Sequence, residues 1–307
     1  TQDILRSRPQ KIKLESGGIE LKLAYDPSMF RDNTSFHDMI EKTARLGYHY
    51  IELSPRQDFI WFYQYPKVNS GMIKNVKRWL SDAGVELSSV LPVQQCSSPD
   101  EQERQAAVRN MKRTIEITSE LGVDTLNTEF SGDKANPVAS EGQWYKSMAE
   151  LIPEFERNHI KLEIQAHPND FIESSNEAAK LIRSLDLDWV SQVWCSAHAF
   201  YSDGGVGDVR KQILDSQDVL SHILIADTLN YKSNFGLRYI INPPAAPVTI
   251  HQHLNPGEGE VDFDAMYQAL KDIHFDGIVT NNVFAWPDKV DWSNEQTLPT
   301  IKRGLGL

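Results

Sequence analysis

Residues 101–129 read EQERQAAVRNMKRTIEITSELGVDTLNTE, and the order of the parts in this stretch decides the fold. Glu101 to Leu121 carries apolar residues near helical spacing, and Gly122 stands where a left-handed helix cap is wanted. Thr125 to Thr128 then has the length of a strand, with Glu129 just past its carboxyl end. A helix that stops on glycine and feeds a short strand is half of a strand–helix repeat, the sequence signature of a parallel sheet.

The same alternation runs along the whole chain. Eight strand candidates can be marked: Leu21 to Tyr25, Tyr50 to Leu53, Leu87 to Leu91, Thr125 to Thr128, Lys161 to Gln165, Val190 to Trp194, Ser221 to Ala226 and Gly277 to Thr280. Each has the length expected of a strand buried on both faces. Amphipathic stretches lie between them at Phe36 to Leu46, Gly71 to Ala83, Glu101 to Leu121, Glu141 to Asn158, Ser174 to Leu185 and Phe263 to Ile273. Gly47 and Gly84 sit as Gly122 does, and Asp262-Phe263-Asp264 offers a cap before the last of these helices. Eight strand–helix units close a (β/α)8 TIM barrel. No Ser/Gly-rich linker divides the chain, so residues 1–307 read as a single α/β domain, with 1–18 an N-terminal extension.

Composition narrows the function classes. Hydrophobic residues make up 40% and charged residues 24%, which is ordinary for a globular chain able to bury a sizeable core. The formal net charge of −12 disfavours nucleic acid as a partner, because that affinity comes mostly from cationic side chains displacing counterions. Two cysteines, Cys96 and Cys195, lie far apart without redox or zinc-ribbon spacing, and no apolar run is long enough for a bilayer. The start Thr1-Gln2-Asp3-Ile4-Leu5-Arg6 lacks a secretory hydrophobic stretch, so a cytoplasmic protein without membrane contact is expected.

One connection is out of proportion, from Thr228 to Glu260, and loops of this length in compact domains are usually functional. It holds His251-Gln252-His253, two imidazoles that point the same way on extended backbone and form half of a divalent-metal site. The alternative is a pair of surface histidines in a polar loop. In a barrel the reacting groups sit just past the strands at the carboxyl face. That position is held by Arg56 and Asp58, Glu129, Gln165 and His167, His198, Asp227, the two loop histidines, and Asn282.

Leu91-Pro92 with Ser98-Pro99-Asp100, Leu126-Asn127-Thr128-Glu129, Cys195-Ser196-Ala197-His198-Ala199-Phe200, Ile225-Ala226-Asp227, His251-Gln252-His253 before Gly257-Glu258-Gly259, and Phe275-Asp276-Gly277 follow one another in a familiar order and spacing. In this the chain resembles the xylose isomerase-like barrels, which include sugar isomerases and epimerases, inosose dehydratase and endonuclease IV. The likeness extends over essentially the whole chain.

What the resemblance implies is a carbohydrate-active isomerase or epimerase that abstracts a proton next to a carbonyl, assisted by a divalent metal, zinc or manganese. The Glu, Asp, His and Glu that hold the ion in isomerases and epimerases fall here on Gln165, Cys195, Leu224 and Asn282, so that quartet is replaced. His198 and His253 match ligand histidines of a second metal pocket in the endonuclease IV branch. In the same pocket His251 stands where an aspartate would be, and Glu129 where a histidine would be. A register shift of two at strand five would bring Glu163 or His167 into the place of Gln165. The expected ligands are therefore His198, His251 and His253, with Glu129 as fourth ligand or base and His167 as proton shuttle. A barrel that has lost its metal and uses its histidines to hydrogen-bond a sugar is the competing reading.

Substrate contacts are expected from Gln165 and Asn282, whose amides suit hydroxyl groups, and from Asp227 and Glu258. Arg56 and Arg238 are candidates for a carboxylate or phosphate, although Arg56 could equally pair with Asp58 or Glu129. Trp286 is either an apolar wall for a sugar ring or a core residue. The partner is a small sugar or sugar derivative, and the resemblance adds a homo-oligomer or a small partner subunit. Two alternatives remain beside the isomerase: a lyase that cleaves an oxidised (3-oxo) glycoside by β-elimination, as in carbon-glycoside deglycosidase large subunits, and a metal-free sugar-binding protein.

Overall fold

In the computed structural model, which describes residues 21–30, 34–229 and 252–307, all eight strand candidates form. They are β1 (Lys22–Tyr25), β2 (Tyr50–Leu53), β3 (Glu86–Val90), β4 (Thr125–Glu129), β5 (Lys161–Gln165), β6 (Val190–Cys195), β7 (Leu220–Ile225) and β8 (Ile278–Asn281). Every neighbour pairs in parallel and β8 returns to β1, with Lys22 opposite Ile278 and Tyr25 opposite Asn281, so the sheet is a closed barrel in chain order. Closure puts all eight carboxyl ends at one mouth.

Among the described residues the outer layer comprises nine α-helices: α1 (Phe36–Arg45), α2 (Ser70–Ala83), α3 (Glu101–Leu121), α4 (Pro137–Asn158), α5 (Ser175–Ser184), α6 (Ser196–Asp203), α7 (Val209–Asp215), α8 (Phe263–Asp272) and α9 (Val290–Leu305). Their starts are set by side-chain caps. Ser35, Asn69, Asp100 and Asp262 each accept a backbone N–H from the first turn of the helix that follows. Gly84 and Gly122 close α2 and α3 with φ of 69° and 80°. Apolar side chains fill the space between barrel and helices, for instance Ile115, Leu126, Met148 and Leu162 on one side and Ile223, Met266, Val279 and Ile301 on another. No helix among the described residues is long and apolar enough to cross a membrane.

Three helices escape the amphipathic pattern. Helix α6 begins directly at the end of β6 and buries Ser196 through Phe200, so it has no polar face to mark it. Helix α7 is only seven residues long. Helix α9 carries Pro299 inside it, a residue that normally argues against a helix. Helix α4 starts at Pro137, ahead of the expected Glu141, because proline is well tolerated in a first turn. The proposed extension at 1–18, Arg238 and His251 lie outside the described residues, as does the middle of the long connection after β7.

The part of that connection nearest the mouth is held by Asp227. Its backbone exchanges two hydrogen bonds with Leu254, of 2.9 and 2.8 Å. Its carboxylate accepts from the backbone N–H groups of Gly257 and Gly259 at 2.8 Å each, Thr228 at 2.9 Å and Val261 at 3.1 Å. Gly259 is required there, since a Cβ would lie 2.3 Å from Asp227 Oδ1 and 2.4 Å from the Thr228 carbonyl oxygen. The turn places His253 over the barrel mouth.

Replacing Asp227 with Asn turns one of its two acceptor oxygens into a donor and confronts two backbone N–H groups with an NH2. The expected outcome is a loss of about 2–4 kcal/mol of stability, read as a lower urea midpoint at unchanged slope. An unchanged midpoint would show that the carboxylate does not organise the loop.

Candidate active site

The barrel mouth holds an inner cavity of about 90 Å³ lined by Asp26, Glu129, Gln165, His167, His198, His253 and Asn282, with Tyr63 and Phe284 as apolar walls. Beside it, over β3 to β5, lies a wider cleft of about 740 Å³. Glu129, His167 and Tyr63 line both, so the two spaces meet at this carboxylate and imidazole.

Strand ends position the imidazoles. His167 follows β5 by two residues, and its Nδ1 is 2.9 Å from the Pro168 carbonyl oxygen. His198 is in the first turn of α6, with Nδ1 3.1 Å from the Ala166 carbonyl oxygen. His253 reaches the Asn282 carbonyl oxygen at 2.7 Å through Nδ1 and stacks on Phe284 with ring centroids 4.1 Å apart. A carbonyl oxygen can only accept, so each Nδ1 must carry a proton, and in the neutral imidazole Nε2 then holds the lone pair. The rings are close: the centroids of His167 and His198 are 4.6 Å apart, and those of His198 and His253 5.3 Å.

Burial sets the charges. It pushes the Glu129 carboxyl up to about 7. The same effect pulls His167 down to about 4, which keeps that imidazole neutral. His167 Nε2 lies 3.7 Å from Glu129 Oε1. Asp170, in the wider cleft, is raised to about 8 by burial, against the backbone N–H groups of Gly132, Ser131 and Phe171 that favour its charge. Asp26 is buried and accepts from Asn282 Nδ2 at 2.8 Å and from the Ser28 hydroxyl at 2.6 Å.

Glu129, His167, His198, His253, Gln165 and Asn282 therefore meet as the sequence suggests. Gln165, not Glu163, occupies the strand-five position, and its Oε1 is buried without a hydrogen-bond partner. Glu163 is engaged by His222 Nδ1 of β7, 2.7 Å away. Four other candidates are engaged elsewhere. Arg56 makes a two-pronged pair with Asp58 at 2.9 and 3.0 Å and lies over the Phe36 ring. Asp227 holds its loop by the four backbone contacts above. Glu258 accepts from the Asn255 N–H and from Trp286 Nε1, both at 2.9 Å, and Trp286 otherwise packs against the core.

Sequence reasoning missed Asp26 and Tyr63 and discounted Cys195. Asp26 directly follows β1 and obeys the same strand-end rule that found Glu129. Tyr63 sits in an irregular loop at φ 56°, with no pattern to reveal it. Cys195 Sγ and one nitrogen each of His198 and His253 all lie within 4.8 Å of one another, and all three residues are buried. One sulfur and two neutral imidazole nitrogens suit a borderline-soft divalent ion, so the residues present fit a metal.

Comparison with known proteins agrees with this architecture. The chain is 22% identical over 287 residues to inosose isomerase of Bacillus velezensis, covering 92% of this chain and 95% of that protein. Its backbone superposes on the crystal structure of an IOLI protein with a bound zinc atom at TM-score 0.72 and 18% identity, over 93% of this chain and 98% of that one. D-psicose 3-epimerase in the presence of D-fructose gives 0.69 at 16% identity, over 94% of this chain and all (100%) of that one. The sequence pattern of the xylose isomerase-like TIM barrels matches residues 40–297, and the chain belongs to that family.

Proposed function

We propose that this protein is a sugar isomerase or epimerase that removes a proton next to a carbonyl at the mouth of its barrel, with a divalent ion held by His198 and His253. The observation that carries this reading is Glu129, a carboxyl pushed up to about 7 by burial and set 3.7 Å from the His167 imidazole, whose ring is 4.6 Å from that of His198. A general base works best when its pKa lies near the working pH. The inosose isomerases among its relatives and the sugar epimerases among its structural neighbours support the same class.

A bound divalent ion would supply Lewis-acid stabilisation of the negative charge that develops on the carbonyl oxygen. The chain's own residues do the rest. Glu129 takes the proton from carbon and returns it from the same face to the neighbouring carbon; inversion at the same carbon requires a second acid on the opposite face. His167, neutral and with its lone pair on Nε2, is the adjacent acceptor through which that proton can move. Gln165 Oε1 accepts a hydroxyl of the sugar, and Asn282, fixed by Asp26, holds another. Tyr63 and Phe284 wall the cavity and limit water. The amide-for-carboxylate exchanges at Gln165 and Asn282 leave the imidazoles as the groups that hold the ion. His251, outside the described residues, is the further ligand this reading assigns.

Two measurements test the proposal. In deuterated buffer the zinc- or manganese-loaded protein should introduce deuterium beside the carbonyl of an inosose or a 2-ketohexose. Glu129→Gln should slow this by about 100-fold or more. Absence of exchange from a panel of such sugars, or exchange untouched by E129Q, contradicts the assignment. In metal-stripped protein, carbon NMR should follow the Glu129 carboxyl titrating at about 7, protonated below and charged above. Added zinc should move that titration downward, since a nearby cation favours the carboxylate. A Glu129 that titrates like a solvent-exposed glutamate would remove the base.

A further inference from the structure

Cys195 ends β6 and caps α6, and His198 lies three residues on in the first turn of that helix. Cys195 has extended backbone and His198 is helical, so the strand-to-helix junction is what brings thiol and imidazole together. His253 comes from the turn anchored by Asp227, at the ends of β7 and β8. Their donor atoms meet within 4.8 Å with all three residues buried. Both imidazoles donate Nδ1–H to backbone carbonyls, of Ala166 and Asn282, which is the outer-shell arrangement that orients metal-binding histidines. The carboxyls of Asp26 and Glu129 line the same cavity, but the three donors that meet here are one sulfur and two nitrogens, a set that suits a borderline-soft ion better than a hard one.

From this juxtaposition we infer that Cys195 is a metal ligand, and that with His198 and His253 it forms a sulfur-containing site selective for zinc-like ions over manganese and magnesium. The inference rests on the metal-assisted reading above and specifies which ion that site takes. The contrasting possibility is a thiol that only packs, since Val193, Ala197, Leu224 and Ala226 surround Cys195 as a small apolar cluster.

Cobalt(II) distinguishes the two, because sulfur ligation gives a near-ultraviolet charge-transfer band that nitrogen and oxygen ligands do not. Stripped protein titrated with cobalt should take up one ion per chain and develop that band. Cys195→Ser should abolish the band and weaken zinc binding by at least about 100-fold, given that even outer partners contribute about 10- to 100-fold. Cys96→Ser should change neither, since Cys96 lies in a separate core cluster. Should C195S fail to fold, zinc-edge absorption on the unaltered protein decides instead, with one sulfur expected at about 2.3 Å and nitrogens at about 2.0–2.1 Å. Cobalt or zinc bound without any sulfur signal overturns the role of Cys195 while leaving the metal reading intact. No stoichiometric ion at all overturns both.

Discussion

Two strand-end carbonyls, those of Ala166 after β5 and Asn282 after β8, fix the protons of His198 and His253 on Nδ1, and the rest of the site follows from that constraint. A histidine whose ring nitrogens were both solvated could turn or change tautomer. Here the barrel dictates the choice, because a backbone oxygen cannot donate. The carbonyls belong to elements whose positions are set by ladder pairing around the whole sheet, so ring orientation at the mouth is tied to closure of β8 on β1. The Asp227 turn provides the second tie, holding the segment that carries His253 through contacts with backbone alone.

Beneath the mouth the barrel interior is polar, which is costly unless every group finds a partner. His222 bridges Glu163 at 2.7 Å and Thr280 at 2.8 Å, and Glu52 accepts from Asn127 Nδ2 at 2.5 Å. Burial alone would strip His222 of its proton, but the carboxylates of Glu52 and Glu163 outweigh it and raise its pKa. His222 thus sits between two acidic side chains inside the cylinder, and Glu163 is engaged there rather than at the mouth. An amide, Gln165, faces the cavity two residues further along the same face of β5.

The fold was legible because buried parallel strands announce themselves between caps: all eight candidates lie within one residue of the strands that form. Helices α6 and α9 were not legible, since one is buried nearly all round and the other contains a proline. At the site the strand-end rule found Glu129, Gln165, His167, His198 and Asn282, which depend only on position in the chain. It could not tell which polar residues would be consumed locally. Arg56 carries its own counter-ion two residues away at Asp58, and Asp227 is surrounded by glycine N–H groups that no periodicity reveals. Cys195 was hidden for another reason: read as the replacement of a carboxylate it looks like a loss, and only the closed barrel brings its sulfur to the two imidazoles.

The chemistry assigned to this mouth requires an ion there. Crystals of the zinc-soaked protein measured on both sides of the zinc absorption edge would locate it directly by anomalous difference. The expected result is a single strong peak at about 2.0–2.1 Å from the Nε2 atoms of His198 and His253. A map with no peak among these residues, or with zinc only on surface carboxylates, would contradict the metal-assisted site and the chemistry assigned to it.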